Sequence, residues 1–183
     1  MHFTSSRLLL RPVIPGDADC LFRIYGDPQT QQFNPAGPYP SLDYARGILR
    51  SWLEHSNQPG FGHWAIILQE NPQEIIGFGG LTPRVVCGYH INNLGYRFAT
   101  QWWGKGLATE FARAVVAWGF EQGKLSEISA VIRPGHSASQ HVLEKTGFHF
   151  ERKVADPEYP SARLFFTLTQ AQWRASHQAD AKR

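Results

Sequence analysis

The stretch Gln101–Trp102–Trp103–Gly104–Lys105–Gly106–Leu107–Ala108–Thr109–Glu110 restricts the folds open to this chain more than any other. It joins an extended run, Leu94 to Ala99, to a long apolar helix expected from about Gly104 to Glu121. A strand that passes through a two-glycine loop into a helix sets a row of backbone N–H groups at the helix start. These groups lack internal acceptors, and the helix dipole adds partial positive charge there. Gly104 and Gly106 let an anion come close to the backbone, so the segment is a candidate phosphate cradle. Lys105 can add a charge-assisted bond to a phosphate oxygen. A tight connection that binds nothing fits a bare Gly-x-Gly equally well, so the rest of the chain has to decide.

The order Gln-x-x-Gly-x-Gly, running into Ala108–Thr109–Glu110, resembles the acetyl-CoA pyrophosphate loop of the GNAT superfamily of N-acetyltransferases. A second segment, His136–Ser137–Ala138–Ser139–Gln140–His141–Val142–Leu143–Glu144–Lys145–Thr146–Gly147–Phe148, is similar to that family's Asn-x-x-Ser-x-x-Val-Leu-Glu-Lys-x-Gly-Phe, with His136 at the asparagine. Alone, this segment reads as a short amphipathic helix with a glycine cap. Two motifs in the right order, about one strand and one helix apart, are far more specific than either. Arg7–Leu8–Leu9–Leu10–Arg11–Pro12 with Asp17, Leu21 and Phe22, and later Ile76–Gly77–Phe78–Gly79–Gly80–Leu81, resemble the RimJ/RimL branch of ribosomal-protein N-terminal acetyltransferases. The resemblance runs from about Arg7 to Leu168. It implies an α/β (α+β) GNAT fold: a mixed, mostly antiparallel sheet of six to seven strands flanked by about four helices. It also implies that the strand ending near Ala99 and the strand at Ile128–Arg133 splay apart, with the pantetheine arm in the gap.

The residues support that layout on their own terms. The apolar run at Arg7–Pro12 is a first strand, and Asp17 is a good N-cap for a helix carrying Cys20, Leu21, Ile24 and Tyr25. Gln29 to Pro40 is a loop by its prolines and Gly37. Ser41 caps a second helix in which Tyr44, Ile48, Leu49 and Trp52 recur at helical spacing, and Pro59–Gly60 closes it. Gly62–Leu68 and Ile75–Leu81 are strands around a turn at Asn71–Glu74. Thr82 to Asn93 is the least legible part. The helix after the glycine loop carries Leu107, Phe111, Val115 and Trp118 on one stripe and Ala108, Ala112 and Val116 beside it, so it is expected to be buried on the sheet. Gly123 is its expected C′ residue. Glu127–Ile132 is a strand, Ser137–Thr146 a helix ended by Gly147, and Phe148–Val154 and Leu164–Leu168 complete the sheet. We expect one domain over residues 1–175 and a polar tail at 176–183 that frays.

The reaction implied by the resemblance is transfer of acetyl from acetyl-CoA to a primary amine, a protein N-terminus or a small molecule. Cofactor contacts are expected from Phe98, Ala99, Gln101, Trp103, Gly104, Lys105, Gly106, Leu107, Ala108, Thr109, His136 and Ser139. The amine has to be neutral when it attacks, so proton removal matters. Here the sequence departs from the family pattern. Asn93 stands where the RimJ/RimL type often carries a glutamate, and Leu143 stands where other members place an acidic tyrosine. Ser139 remains as a donor toward sulfur, and Asn93 and His90 join it as catalytic candidates. An α-amine needs less help from a base than a lysine, because its pKa lies nearer 8 than 10. Phe33, Tyr39 and Tyr159 are candidate acceptor-site residues on loops. An acyl-CoA-binding sensor with little or no catalysis is the alternative.

Composition narrows the rest. A 183-residue chain with 42% hydrophobic and 18% charged residues is long enough for one core. A net charge of +3 with no lysine/arginine block gives no nucleic-acid surface. Cys20 and Cys87 form no C-x-x-C pair and fit free thiols in a reducing compartment. His136 and His141 are five residues apart, on different helix faces, and no cysteine joins them, so no metal is expected. No apolar run is long enough to span a bilayer. The expectation is a cytoplasmic monomer or homodimer. A dinucleotide-binding reading, with Gly104–Lys105–Gly106 and Glu127 as the ribose acid, fails because Thr109 replaces the third glycine and several strands come first.

Overall fold

Apolar residues in the strands alternate between two faces, which gives one sheet with a helical layer on each side. The computed structural model describes residues 2–55 and 61–181. Its strands are β1 (Phe3–Thr4), β2 (Leu8–Pro12), β3 (Gly62–Leu68), β4 (Asn71–Val86), β5 (Tyr89–Phe98), β6 (Glu127–Ile132), β7 (His149–Val154) and β8 (Arg163–Thr169). Its helices are α1 (Ala18–Tyr25), α2 (Leu42–His55), α3 (Leu107–Glu121), α4 (Ser137–Thr146) and α5 (Gln170–Asp180). The eight strands form one sheet in the order β1-β2-β3-β4-β5-β6-β8-β7. Every pairing is antiparallel except β5 with β6. The expected mixed, mostly antiparallel architecture is therefore what the chain adopts, with one strand and one helix more than expected.

Period-two alternation shows in β3. Trp64, Ile66 and Leu68 join the core under α3 and α4, whereas Ala65 and Ile67 join the core under α1 and α2. Helix α3 fills its side with Phe111, Ala112, Val115 and Val116, all fully buried. Each such large apolar side chain contributes on the order of 1.5–3 kcal/mol. This is the helix that the glycine loop feeds, so a rigid, buried element aims the loop.

Several local expectations are corrected. The β3–β4 turn lies at Gln69–Glu70, and Asn71 already pairs with Leu68 beside a bulge. The stretch Thr82 to Asn93 is the tip of a long β4–β5 hairpin, closed by Cys87 and Gly88 with φ of 49° and 83°. Positive φ at both turn positions matches the twist of the flanking strands. Pro83 lies beyond Leu81, the last β4 residue that pairs with a described residue of β3, so its missing N–H interrupts none of the described β3–β4 rungs. Asp17 precedes α1 without capping it. Its carboxylate takes Arg11 at 2.8 Å through both oxygens and the Ile14 N–H at 2.9 Å. Ser41 does cap α2, accepting the Tyr44 N–H at 3.1 Å. The Pro59–Gly60 stop lies outside the described residues. Helix α3 starts at Leu107, because a separate short turn, Thr100–Trp102, precedes the glycines. Lys124, not Gly123, takes the left-handed conformation after α3, with φ of 54°. The stretch expected to fray is helical to Asp180, and Thr169 caps it through the Gln172 N–H.

Candidate functional site

The β5–β6 pair shares a single rung, Asn93 opposite Ser129. Both residues are buried. Beyond it, β5 runs on to Phe98 and β6 to Ile132 without further pairing. The edge of β5 that faces β6 is thus left without a strand partner over half its length, in the middle of the sheet. This is the splay expected from the sequence.

The glycine loop sits where β5 ends. Gly104 and Gly106 have φ of 72° and 76°, and Gly106 is the residue before the first turn of α3. The first intrahelical bond runs from the Glu110 N–H to the Gly106 carbonyl at 3.1 Å. Leu107, Ala108 and Thr109 therefore present amides with no acceptor inside the helix. A Cβ built on Gly104 meets nothing within 4 Å, so there is room over the loop. The loop is also tied down from outside. Arg7 donates from Nη1 to the Lys105 carbonyl at 3.0 Å and from Nε to Glu110 at 2.7 Å. Glu110 further accepts the Arg7 N–H and the Ser5 hydroxyl, each at 2.6 Å. These donors hold its carboxyl below the usual range even though burial pushes it up. The N-terminal strand region thus braces the cradle. Lys105 itself is exposed, with its ammonium 5.7 Å from the Trp102 ring.

The sequence-predicted residues fall into groups. Gln101 is exposed on the turn before the loop. Trp103 is half-exposed and donates its indole N–H to the Phe98 carbonyl at 3.0 Å. Ala99 is already engaged within the chain. Its N–H donates to the Ile76 carbonyl at 2.9 Å, and its carbonyl accepts the Trp102 N–H at 3.0 Å and keeps a second lone pair. Leu107 puts its side chain in the core, so only its amide is left toward the loop. His136 and Ser139 share a hydrogen bond of 3.1 Å between Nε2 and Oγ. His90 is not brought to the site. It lies exposed near the hairpin tip, eight positions before Phe98, which is about 26 Å along a strand.

Of the acceptor candidates, Phe33 joins the site directly, stacked on His136 with ring centres 4.2 Å apart. Tyr39 packs on Tyr25 at 5.2 Å. Tyr159 lies under the Arg133 guanidinium at 5.1 Å. There Arg133 and Arg163 converge on the Asp156 carboxylate at 2.8 and 2.7 Å. The Glu158 N–H and the two cations bring the Asp156 pKa down to about 2. This network ties the β7–β8 loop to the end of β6.

Sequence reasoning missed two adjacent residues. On β5, Leu94, Tyr96 and Phe98 face α3, so Asn93, Gly95 and Arg97 face α1 and α2. The Tyr96 hydroxyl is buried, makes no hydrogen bond among the described residues and neighbours Ser139. Burial pushes its pKa up to about 12. Arg97 lies over the Tyr25 ring at 4.9 Å. Burial, and then the Arg97 charge, lower the His136 pKa, which leaves the imidazole neutral at pH 7. The available signal was the polar Tyr96–Arg97 pair in a strand that enters the cradle.

Comparisons agree with this geometry. A family model described as an acetyltransferase (GNAT) domain matches residues 7–149. The protein YkkB of Bacillus subtilis (strain 168) is 30% identical, over 86% of this chain and 91% of its own length. An acetyltransferase of the GNAT family from Bacillus anthracis superposes with a TM-score of 0.77 at 21% identity, covering 93% of this chain and 99% of that one. The ribosomal-protein-S5-alanine acetyltransferase of Vibrio fischeri does so with 0.74 at 16% identity, covering 94% and 98%. At those identities the two structures speak for the fold alone.

Proposed function

Because the chain belongs to the GNAT acetyltransferase family, we propose that it moves acetyl from acetyl-CoA to an α-amine, on a protein N-terminus or a small molecule, in the manner of the RimJ/RimL branch. One observation carries the reading. An amide-lined glycine loop with open space above it lies at the end of a strand whose neighbour has split away. The loop amides of Leu107, Ala108 and Thr109, with Lys105, suit a pyrophosphate, and the unpaired edge of β5 suits an extended amide-bearing arm. When bound, acetyl-CoA supplies an electrophilic thioester carbonyl and a thiolate leaving group.

The chain's own residues then divide the work. Tyr96, held protonated by its raised pKa, donates a hydrogen bond toward the departing sulfur. A phenol near pKa 12 is a weaker acid than a thiol near 8.5, so Tyr96 stabilises charge and does not surrender its proton. Ser139 neighbours the Tyr96 hydroxyl and orients His136 through their hydrogen bond. His136, neutral at pH 7, accepts the amine proton, a role that Asn93 cannot fill. A base with a lowered pKa works best on a weakly basic amine, which favours an α-amine over a lysine.

The test is calorimetric titration of acetyl-CoA, followed by thiol release against peptides and small amines. Binding with amine-dependent release is the expected result. Binding with no release from any amine leaves the sensor reading, and absence of binding refutes both.

A further inference from the structure

Arginines in this protein follow a simple rule, and Arg97 breaks it. Among the described residues, Arg11, Arg133 and Arg163 are the other arginines that are not exposed, and each meets a carboxylate within 2.8 Å. Arg97 is partly buried, and its guanidinium makes no ion pair or hydrogen bond with any described residue. A half-buried cation without a counter-charge is costly, and a guanidinium presents a planar fork matched to a carboxylate.

Its surroundings are neutral and aromatic. Tyr25 lies beneath it at 4.9 Å, and Tyr39 packs against Tyr25 at 5.2 Å. Its charge acts on Tyr25, Tyr39 and His136, which lie within its electrostatic reach. His136 in turn carries Phe33 on its ring face. Arg97 shares the strand face of Asn93, four positions beyond the last β5–β6 rung, at the open end of the splay. The face is the one toward α1 and α2, opposite Tyr96.

Resting on the acetyl-transfer reading, we propose that Arg97 is the acceptor-recognition residue and receives a carboxylate carried by the amine substrate. The acceptor class is then an amine bearing a nearby carboxylate. Free amino acids and peptides with an acidic residue close to the N-terminus share that chemistry. The aromatic walls exclude water around the ion pair and so strengthen it, and charge-assisted bidentate pairs are the strongest of their kind.

The experiment compares matched acceptors in the thiol-release assay, with wild type, Arg97→Gln and Arg97→Lys. One arm sets free amino acids against their amides. A second uses C-terminally amidated peptides with Asp or Glu at positions two and three against Asn or Gln. In wild type, kcat/KM is expected to favour the carboxylate by about 10-fold or more in one arm, which identifies the source. Arg97→Gln brings that ratio to about one, and Arg97→Lys keeps part of it. Acetyl-CoA affinity is unchanged in both variants. Calorimetric titration of N-acetylglycine against N-acetylglycinamide into CoA-loaded protein reads the same preference without turnover. Equal use of acid and amide by wild type in both arms, or a preference that survives Arg97→Gln, overturns the inference while acetyl transfer stands. Failure of acetyl-CoA to bind, or of every amine to release thiol, defeats the acetyl-transfer reading instead.

Discussion

Gly104→Ala separates what the fold asks of the loop from what a ligand asks of it. Gly104 has φ of 72°, a region that costs an L-residue about 1–2 kcal/mol. No heavy atom lies within 4 Å of its built Cβ, so packing adds nothing to that cost. At this chain length each kcal/mol lowers the melting temperature by about 2–4 °C, so the variant is expected to melt about 2–8 °C lower and to fold normally. Acetyl-CoA affinity is expected to fall at least about 10-fold. The new methyl stands over the cradle, and a single lost charge-assisted bond is worth about 1.5–3 kcal/mol. Thermal melts and calorimetry give the two numbers. Gly80→Ala is the contrast, since its Cβ would come within 1.8 Å of the Gly62 carbonyl and force β3 from β4. Affinity of Gly104→Ala within twofold of wild type, with the melting temperature lowered as expected, refutes the cradle assignment.

Arg7→Ala removes a half-exposed ion pair, about 0.5–1 kcal/mol, and a bond to the Lys105 carbonyl, about 1 kcal/mol. A drop of about 3–8 °C in melting temperature and several-fold weaker acetyl-CoA binding are expected, and unchanged binding would show that the brace does not shape the loop. Tyr96→Phe deletes a buried hydroxyl that makes no hydrogen bond among the described residues, so stability in urea should hold or rise slightly while thiol release falls at least about 10-fold. Equal turnover would remove Tyr96 from the mechanism. His63, stacked on Trp52 at 3.7 Å, has its pKa lowered to about 4 by burial and then by Arg84. The unfolded chain binds this proton below about 6.5 and the native state only near 4. Its contribution is therefore complete above pH 6.5 and is lost as pH falls toward 4, by up to about 3 kcal/mol. His63→Phe keeps the stack, and urea midpoints at pH 7 and 5 should show a smaller difference than in wild type.

Local, periodic features were open to reading from residues alone. The apolar stripe of α3, the Ser41 cap, the Gly147 stop and the strand at Glu127–Ile132 all follow from short-range rules and appear as expected. The hairpin tip did not, because Pro83 and the pair Asn92–Asn93 carry poor strand propensity. They pair only because the opposite strand is already in register. Asp17 was misread for a related reason. Its position before the helix suggests a cap, but the Arg11 guanidinium six residues back offers a stronger, two-pronged partner.

The candidate site divides along the same line. Chain order alone determined the glycine loop, its helix and the serine-bearing helix that follows, since each is a contiguous motif. Only the tertiary structure decided that β5 and β6 part after one rung, that Arg7 braces the loop from about a hundred residues away, and that Tyr96 comes beside Ser139 while Arg97 has no counter-charge among the described residues. These are pairings between residues far apart in the chain. Which partner a side chain meets, or fails to meet, is set by sheet register and layer packing, and no local pattern encodes that.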